Sequence, residues 1–195
     1  MPDVGRTGGR YRALVTASDD DTLWFNFERG RLDAKLLSFP FDVIARRVGV
    51  GTTGAPDPVT GPPSIPDADA VLLCGLLVHD ADLGSDNWSF AVAGHRGATL
   101  RTVEVKHTLE GVSAIGALPS GTLATTRADL RMVGDEAGNV TAYWQEPGTS
   151  PDNWTEIAIP GTQHDYGAQV YVGLITYHGH GSRPFVGTCD ALESS

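Results

Sequence analysis

The chain has 195 residues, enough for one domain with a sizeable core. Charged residues are sparse at 19%, glycine (24) and proline (12) are plentiful, and the formal net charge is −10. This balance favours strands and turns over helices, and the acidity sets the chain against nucleic-acid backbones and anionic membranes as partners.

Period-2 alternation bounded by Gly, Pro, Asn and Asp predicts a dozen strands. In chain order they cover residues 11–17, 22–28, 32–39, 41–48, 70–79, 87–95, 100–108, 128–133, 140–145, 155–159, 169–177 and 184–190. Trp88, Phe90 and Val92 share one strand face. Val170, Val172 and Leu174 share another, opposite Tyr171, Gly173 and Ile175. Several runs are apolar on both faces, as expected of strands buried between two layers. The expected fold is one all-β domain over 1–195, a two-sheet antiparallel sandwich. A Pro/Gly-rich excursion at 49–70 interrupts it, because its five prolines exclude helix and interior strand. The longest apolar run, ADAVLLCGLLV, suits a buried strand and is too short to span a bilayer. The N-terminal stretch lacks the apolar core of a signal peptide, so export by that route is not expected.

Several motifs fail on context. Gly49-x-Gly51-x-x-Gly54 matches a dinucleotide fingerprint, yet prolines follow where the fingerprint needs a helix. Asn87, Asn139 and Asn153 open Asn-x-Ser/Thr sequences and are read as turn formers. Cys74 and Cys189 have no CxxC or zinc-ligand spacing and read as buried free thiols rather than a disulfide. His178 and His180 are read as an exposed loop pair, since a zinc site needs three or four ligands. Glycosidases need two carboxyl groups flanking the scissile bond. Here Glu104 alternates only with Thr102 and Lys106, so no enzymatic activity is expected.

Aromatic side chains are the remaining lead, because sugar rings stack their C–H faces on aromatic planes. Tyr143 and Trp144 are adjacent and must point to opposite faces, so one is directed outward. Trp88, His95, Arg96, Trp144 and His178, near strand ends, form the candidate glycan-binding set, with Trp144 tested as the outward ring.

Gly75-Leu76-Leu77-Val78, Trp88, Leu130-Arg131, Gly138-Asn139-Val140, Tyr143, Trp154, Val172-Gly173-Leu174 and Asp190 follow one another in a familiar order. In that order the chain resembles the concanavalin A-like lectin/glucanase jelly roll, nearest to small non-catalytic domains of the enolase-regulation-like kind. The resemblance implies a jelly-roll sandwich, no cofactor, and a structural calcium near the termini for which Asp190 is a weak candidate. It also implies a glycan-binding or adhesion module. Its expected partners are cell-surface polysaccharide, virion proteins or both, with display in an oligomer or array. The location expected is a virion or the extracellular surface reached by lysis, otherwise the cytoplasm. The rival reading is a purely structural virion decoration, spike or fibre accessory protein; a sandwich-fold glycosidase ranks last.

Overall fold

A computed structural model describes residues 4–7, 10–15, 31–52, 71–97, 101–117, 123–125, 127–149, 153–158, 166–179 and 184–194. Among them are fourteen strands and no helix. They are β1 (Val4–Thr7), β2 (Arg10–Val15), β3 (Arg31–Ser38), β4 (Phe41–Thr52), β5 (Val71–Asp80), β6 (Trp88–Arg96) and β7 (Arg101–Leu109), followed by β8 (Val112–Ala117), β9 (Arg127–Gly134), β10 (Val140–Gln145), β11 (Thr155–Ile157), β12 (Gln169–Gly179), β13 (Phe185–Cys189) and β14 (Ala191–Ser194).

All pairings are antiparallel. One sheet runs β1-β2-β13-β4-β9-β10-β11 with β14 also on β4, and the other runs β3-β12-β5-β6-β7-β8. The chain alternates between the sheets, wrapping late strands between early ones, as β12 between β3 and β5. The two-sheet sandwich expected from the sequence is therefore present. β1, β8 and β14 are additional to the predicted strands, and the run predicted at 22–28 lies outside the described residues.

The core follows from strand parity. Even-numbered residues of β5 and β12 (Leu72, Cys74, Leu76, Val170, Val172, Leu174) pack against Val43, Ala45, Leu130, Met132 and Phe185 of the other sheet. Each such aliphatic side chain contributes about 1.5–3 kcal/mol when fully buried. The outer face of the six-stranded sheet, odd-numbered on β5 and β12 and even-numbered on β6, is buried as well, with Leu73, Leu77, Trp88, Phe90, Val92, Ile175 and Tyr177 forming a second cluster.

Gly49–Thr52 complete β4 and pair with β13, which corrects the predicted start of the excursion at residue 49. Its remainder, 53–70, lies outside the described residues. β4 extends so far because of a bulge between Ala45 and Val48, with Arg47 at φ 49°. The buried Asp129 carboxylate fixes the bulge. It accepts from the Arg47 amide at 2.7 Å and from Gln145 Nε2 at 3.2 Å, and faces Arg46 Nη1 at 3.4 Å. The bulge lets β13 pair with one end of β4 and β14 with the other.

Asn87 and Asn139 hold turns, as read. Asn87 Oδ1 accepts from the Glu110 amide at 2.8 Å, and Asn139 Nδ2 donates to Asp135 Oδ2 at 2.8 Å. Cys74 and Cys189 are both buried free thiols, as expected. Burial pushes them up to about 11 and about 12, so neither is reactive at neutral pH. A reducing agent should accordingly leave the melting temperature unchanged. A large drop would reveal a disulfide worth a few kcal/mol.

Candidate functional site

The five residues expected to bind glycan do not converge. Trp88 opens β6 on the outer face of the six-stranded sheet and is 3% exposed. Its ring stacks on Phe90 with centroids 5.6 Å apart, and Lys106 Nζ sits 4.5 Å from its centroid. Burial lowers Lys106 to about 8. Arg96 lies on the same face, eight residues along β6 and so about 26 Å away. It is exposed and pairs with Glu104 at 3.2 Å. Burial raises the Glu104 carboxyl, and Arg96 opposes that rise.

His95 and His178 point the other way, into the core. The registers His178–Leu72 and Leu72–His95, continued by His95–Arg101, set the four residues in one row across β12, β5, β6 and β7. His178 meets Phe185 edge-on at 6.2 Å. The expectation that His178 belongs to an exposed loop is corrected: β12 continues to Gly179 and buries it. His180 lies outside the described residues.

Trp144 is also corrected. On β10, Val140, Ala142 and Trp144 face the core, and Trp144 packs against it. Tyr143 is the outward member of the pair. Asp190 stands between β13 and β14 with Arg47 Nη1 3.9 Å away. Among the described residues no group of three His, Cys, Asp or Glu side chains is placed to hold a metal ion.

The parity that turns Trp144 inward builds a different site on the outer face of the eight-stranded sheet. Registers place Glu156, Tyr143, Arg131, Ile44 and Glu193 in a row across β11, β10, β9, β4 and β14. Arg131 lies over the Tyr143 ring at 5.6 Å and near the Trp154 ring at 5.9 Å, and Arg46 lies 5.4 Å from the Trp154 centroid. Each guanidinium is held by a two-point carboxylate contact. Arg131 donates to Asp42 at 2.9 and 2.5 Å, and Arg46 to Glu193 at 3.0 and 3.1 Å. These forks raise both arginines above their ordinary values and fix their planes. The result is a half-exposed platform of two aromatic rings bordered by donors (Arg46, Arg131) and acceptors (Asp42, Glu193). The sequence signal for it was available: Thr141, Tyr143 and Gln145 alternate with the apolar Val140 and Ala142.

No protein-family model matches the chain, and no curated protein matches its sequence. Solved structures do. A functionally unknown protein from Saccharomyces cerevisiae is similar over 99% of this chain and 91% of its own, with TM-score 0.65 and 14% identity. A xylan β-1,4-xylosidase from Bacillus halodurans is similar over 94% of this chain and 32% of its own, with TM-score 0.56 and 12% identity. A bifunctional GH43-CE protein from Bacteroides eggerthii is similar over 97% of this chain and 21% of its own, with TM-score 0.60 and 11% identity. At these identities the likeness shows the fold. The chain spans a third or less of the two carbohydrate-active proteins. None of the three carries a virion description, so the expectation of a particle protein gains no support from them.

Proposed function

We propose that this chain is a non-catalytic glycan-binding module of the concanavalin A-like kind, and that it binds through the Tyr143–Trp154 platform. The observation that carries the reading is the pairing of two half-exposed rings with two guanidiniums already locked by carboxylates. A sugar ring lays its C–H face on an aromatic plane while its hydroxyls accept from Arg N–H groups and donate to Asp42 and Glu193. Because the arginines are fixed before binding, little side-chain entropy is lost on contact. The sandwich fold shared with parts of carbohydrate-active proteins supports the same reading.

The reading is non-catalytic because hydrolysis needs two carboxyl groups facing one bond. Four of the described inward or half-buried carboxylates are instead held by partners: Glu104 by Arg96, Asp42 by Arg131, Asp129 by Arg46, Asp33 by Tyr11.

Xylan oligosaccharides and a broad glycan array are the first probes, with the protein displayed multivalently because shallow sites gain through effective concentration. Trp154→Ala should weaken single-site binding about tenfold, roughly one good ring contact, with an unchanged far-UV spectrum. Reducing sugar should not be released from any bound glycan. A blank array for the multivalent protein ends the lectin reading, and release of reducing sugar turns it into a glycosidase.

A further inference from the structure

Among the described residues, the sandwich does not close at one corner. Between the inner side of β3 and the strands β4, β13 and β14 lies an open cleft of about 540 Å³, within the range of small-ligand sites. Parity explains why. Asp33 and Lys35 of β3 stand opposite Leu174 and Val172 in register and so face the core side, where an ammonium and a carboxylate do not pack. Across the gap, Leu192 is in register with Ala45 of the core, yet it remains 46% exposed. A leucine on the core side of a sheet stays exposed only when none of the described residues stands in front of it.

The cleft is held open by contacts on both sides. The Tyr11 hydroxyl of one sheet donates to Asp33 Oδ2 of the other at 2.7 Å, a strut between the layers. At the opposite lip, the bulge of β4 turns the chain from β13 into β14, with the Asp190 amide donating to the Arg46 carbonyl at 2.9 Å. The site is therefore formed before any ligand arrives, which lowers the entropic cost of binding.

We infer that this cleft binds a small zwitterion with a hydrocarbon side chain, the chemical class of a free apolar amino acid. Its wall is mostly branched and aliphatic, with Leu37, Val43, Val172, Leu174 and Leu192 beside the single ring of Tyr11. Such a wall takes an aliphatic or aromatic body. Its lips carry both signs, with Lys35 against Asp33, which accepts from the Tyr11 hydroxyl, and Asp190, which has Arg47 Nη1 3.9 Å away. Lys35 and Asp33 are two residues apart on one strand face, about 7 Å. A purely anionic or cationic ligand meets a like charge there, while a zwitterion meets an opposite charge at each end. This site lies between the sheets, apart from the outer-face platform, and does not depend on the glycan reading.

The test uses the full chain, labelled with nitrogen-15 and titrated with leucine and phenylalanine at millimolar concentration. Leucine methyl ester, isoamylamine and methyl glucoside serve as probes of each chemical feature. Amide shifts should saturate on β3, β12 and β14. Lys35→Ala, and separately the methyl ester, should weaken binding about tenfold, as expected for one charge-assisted contact. Leu192→Trp, which fills the cleft from a half-exposed position, should abolish it with an unchanged melting temperature. The inference is overturned if neither amino acid shifts these amides. It is also overturned if the amine or methyl glucoside saturates the site more tightly than leucine, or if Lys35→Ala binds leucine as the wild type does.

Discussion

Gly75→Ala should destabilise the chain by about 3 kcal/mol, the upper end of ordinary overpacking costs, and lower the melting temperature by about 10 °C for a protein of this size. Gly75 sits in the middle of β5, on the outer face of the six-stranded sheet. A Cβ there lands on the Ala91 carbonyl oxygen and 2.6 Å from Val92 Cα, both backbone atoms of β6. A flexible side chain could step aside, but a paired strand cannot without losing its ladder. The comparison is Gly167→Ala, where an added Cβ meets nothing within 4 Å and the backbone needs no left-handed conformation. That change should stay within about 0.5 kcal/mol. Equal urea midpoints for the two variants would show that β5 and β6 are not packed as described.

The strands were legible where local chemistry and tertiary demand agree. The β9–β10 hairpin announces itself because Asp135 caps its own turn, accepting from the Ala137 and Asn139 amides at 2.9 Å each, and Gly138 supplies the φ of 83°. β5 and β12 read as buried because both of their faces are apolar, and both faces are buried. β8 and β14 were missed for the opposite reason. VSAIGA and ALES are short, show no clean apolar–polar alternation, and owe their extended form to β7 and β4 beside them. The extension of β4 through Gly49 and Gly51 was hidden because two glycines beside a proline-rich run look like its beginning, while the pairing with β13 is invisible locally.

The candidate site was legible in kind but not in place. Adjacent aromatics on a strand must divide between faces, and they do; which of them faces outward depends on the neighbours, and the apolar Val140 and Ala142 carry Trp144 inward with them. His178 looked like loop because histidine and glycine end a hydrophobic run, although ten residues of β12 pair with β5 through that point. The Arg46–Trp154–Arg131 cluster joins three strand regions, and the cleft joins residues 33, 35 and 192. No local pattern predicts such meetings, because sheet order alone creates them.

Acidification should destabilise the chain steeply between about pH 6.5 and about pH 4. His95 is 1% exposed on the core side of β6, and neither ring nitrogen has a hydrogen-bond partner among the described residues. Burial first, and the nearby Arg101 charge second, lower it from 6.5 to about 4. The unfolded chain therefore takes up this proton before the folded one. The stability this represents is fully present above pH 6.5 and is lost as the pH falls through the window, to about 3 kcal/mol at its lower end. His107, also lowered by burial, acts in the same direction. Glu104 acts in the opposite direction, because burial raises it and its protonation favours the folded chain as the pH falls. Urea midpoints measured from about pH 7.5 down to about pH 4.5 should decrease steadily. His95→Leu, which removes the titrating ring from an apolar setting, should flatten most of that slope. A midpoint that does not move with pH, or a slope that His95→Leu leaves intact, would place the imidazole in contact with water and break the row His178–Leu72–His95–Arg101 on which the prediction stands.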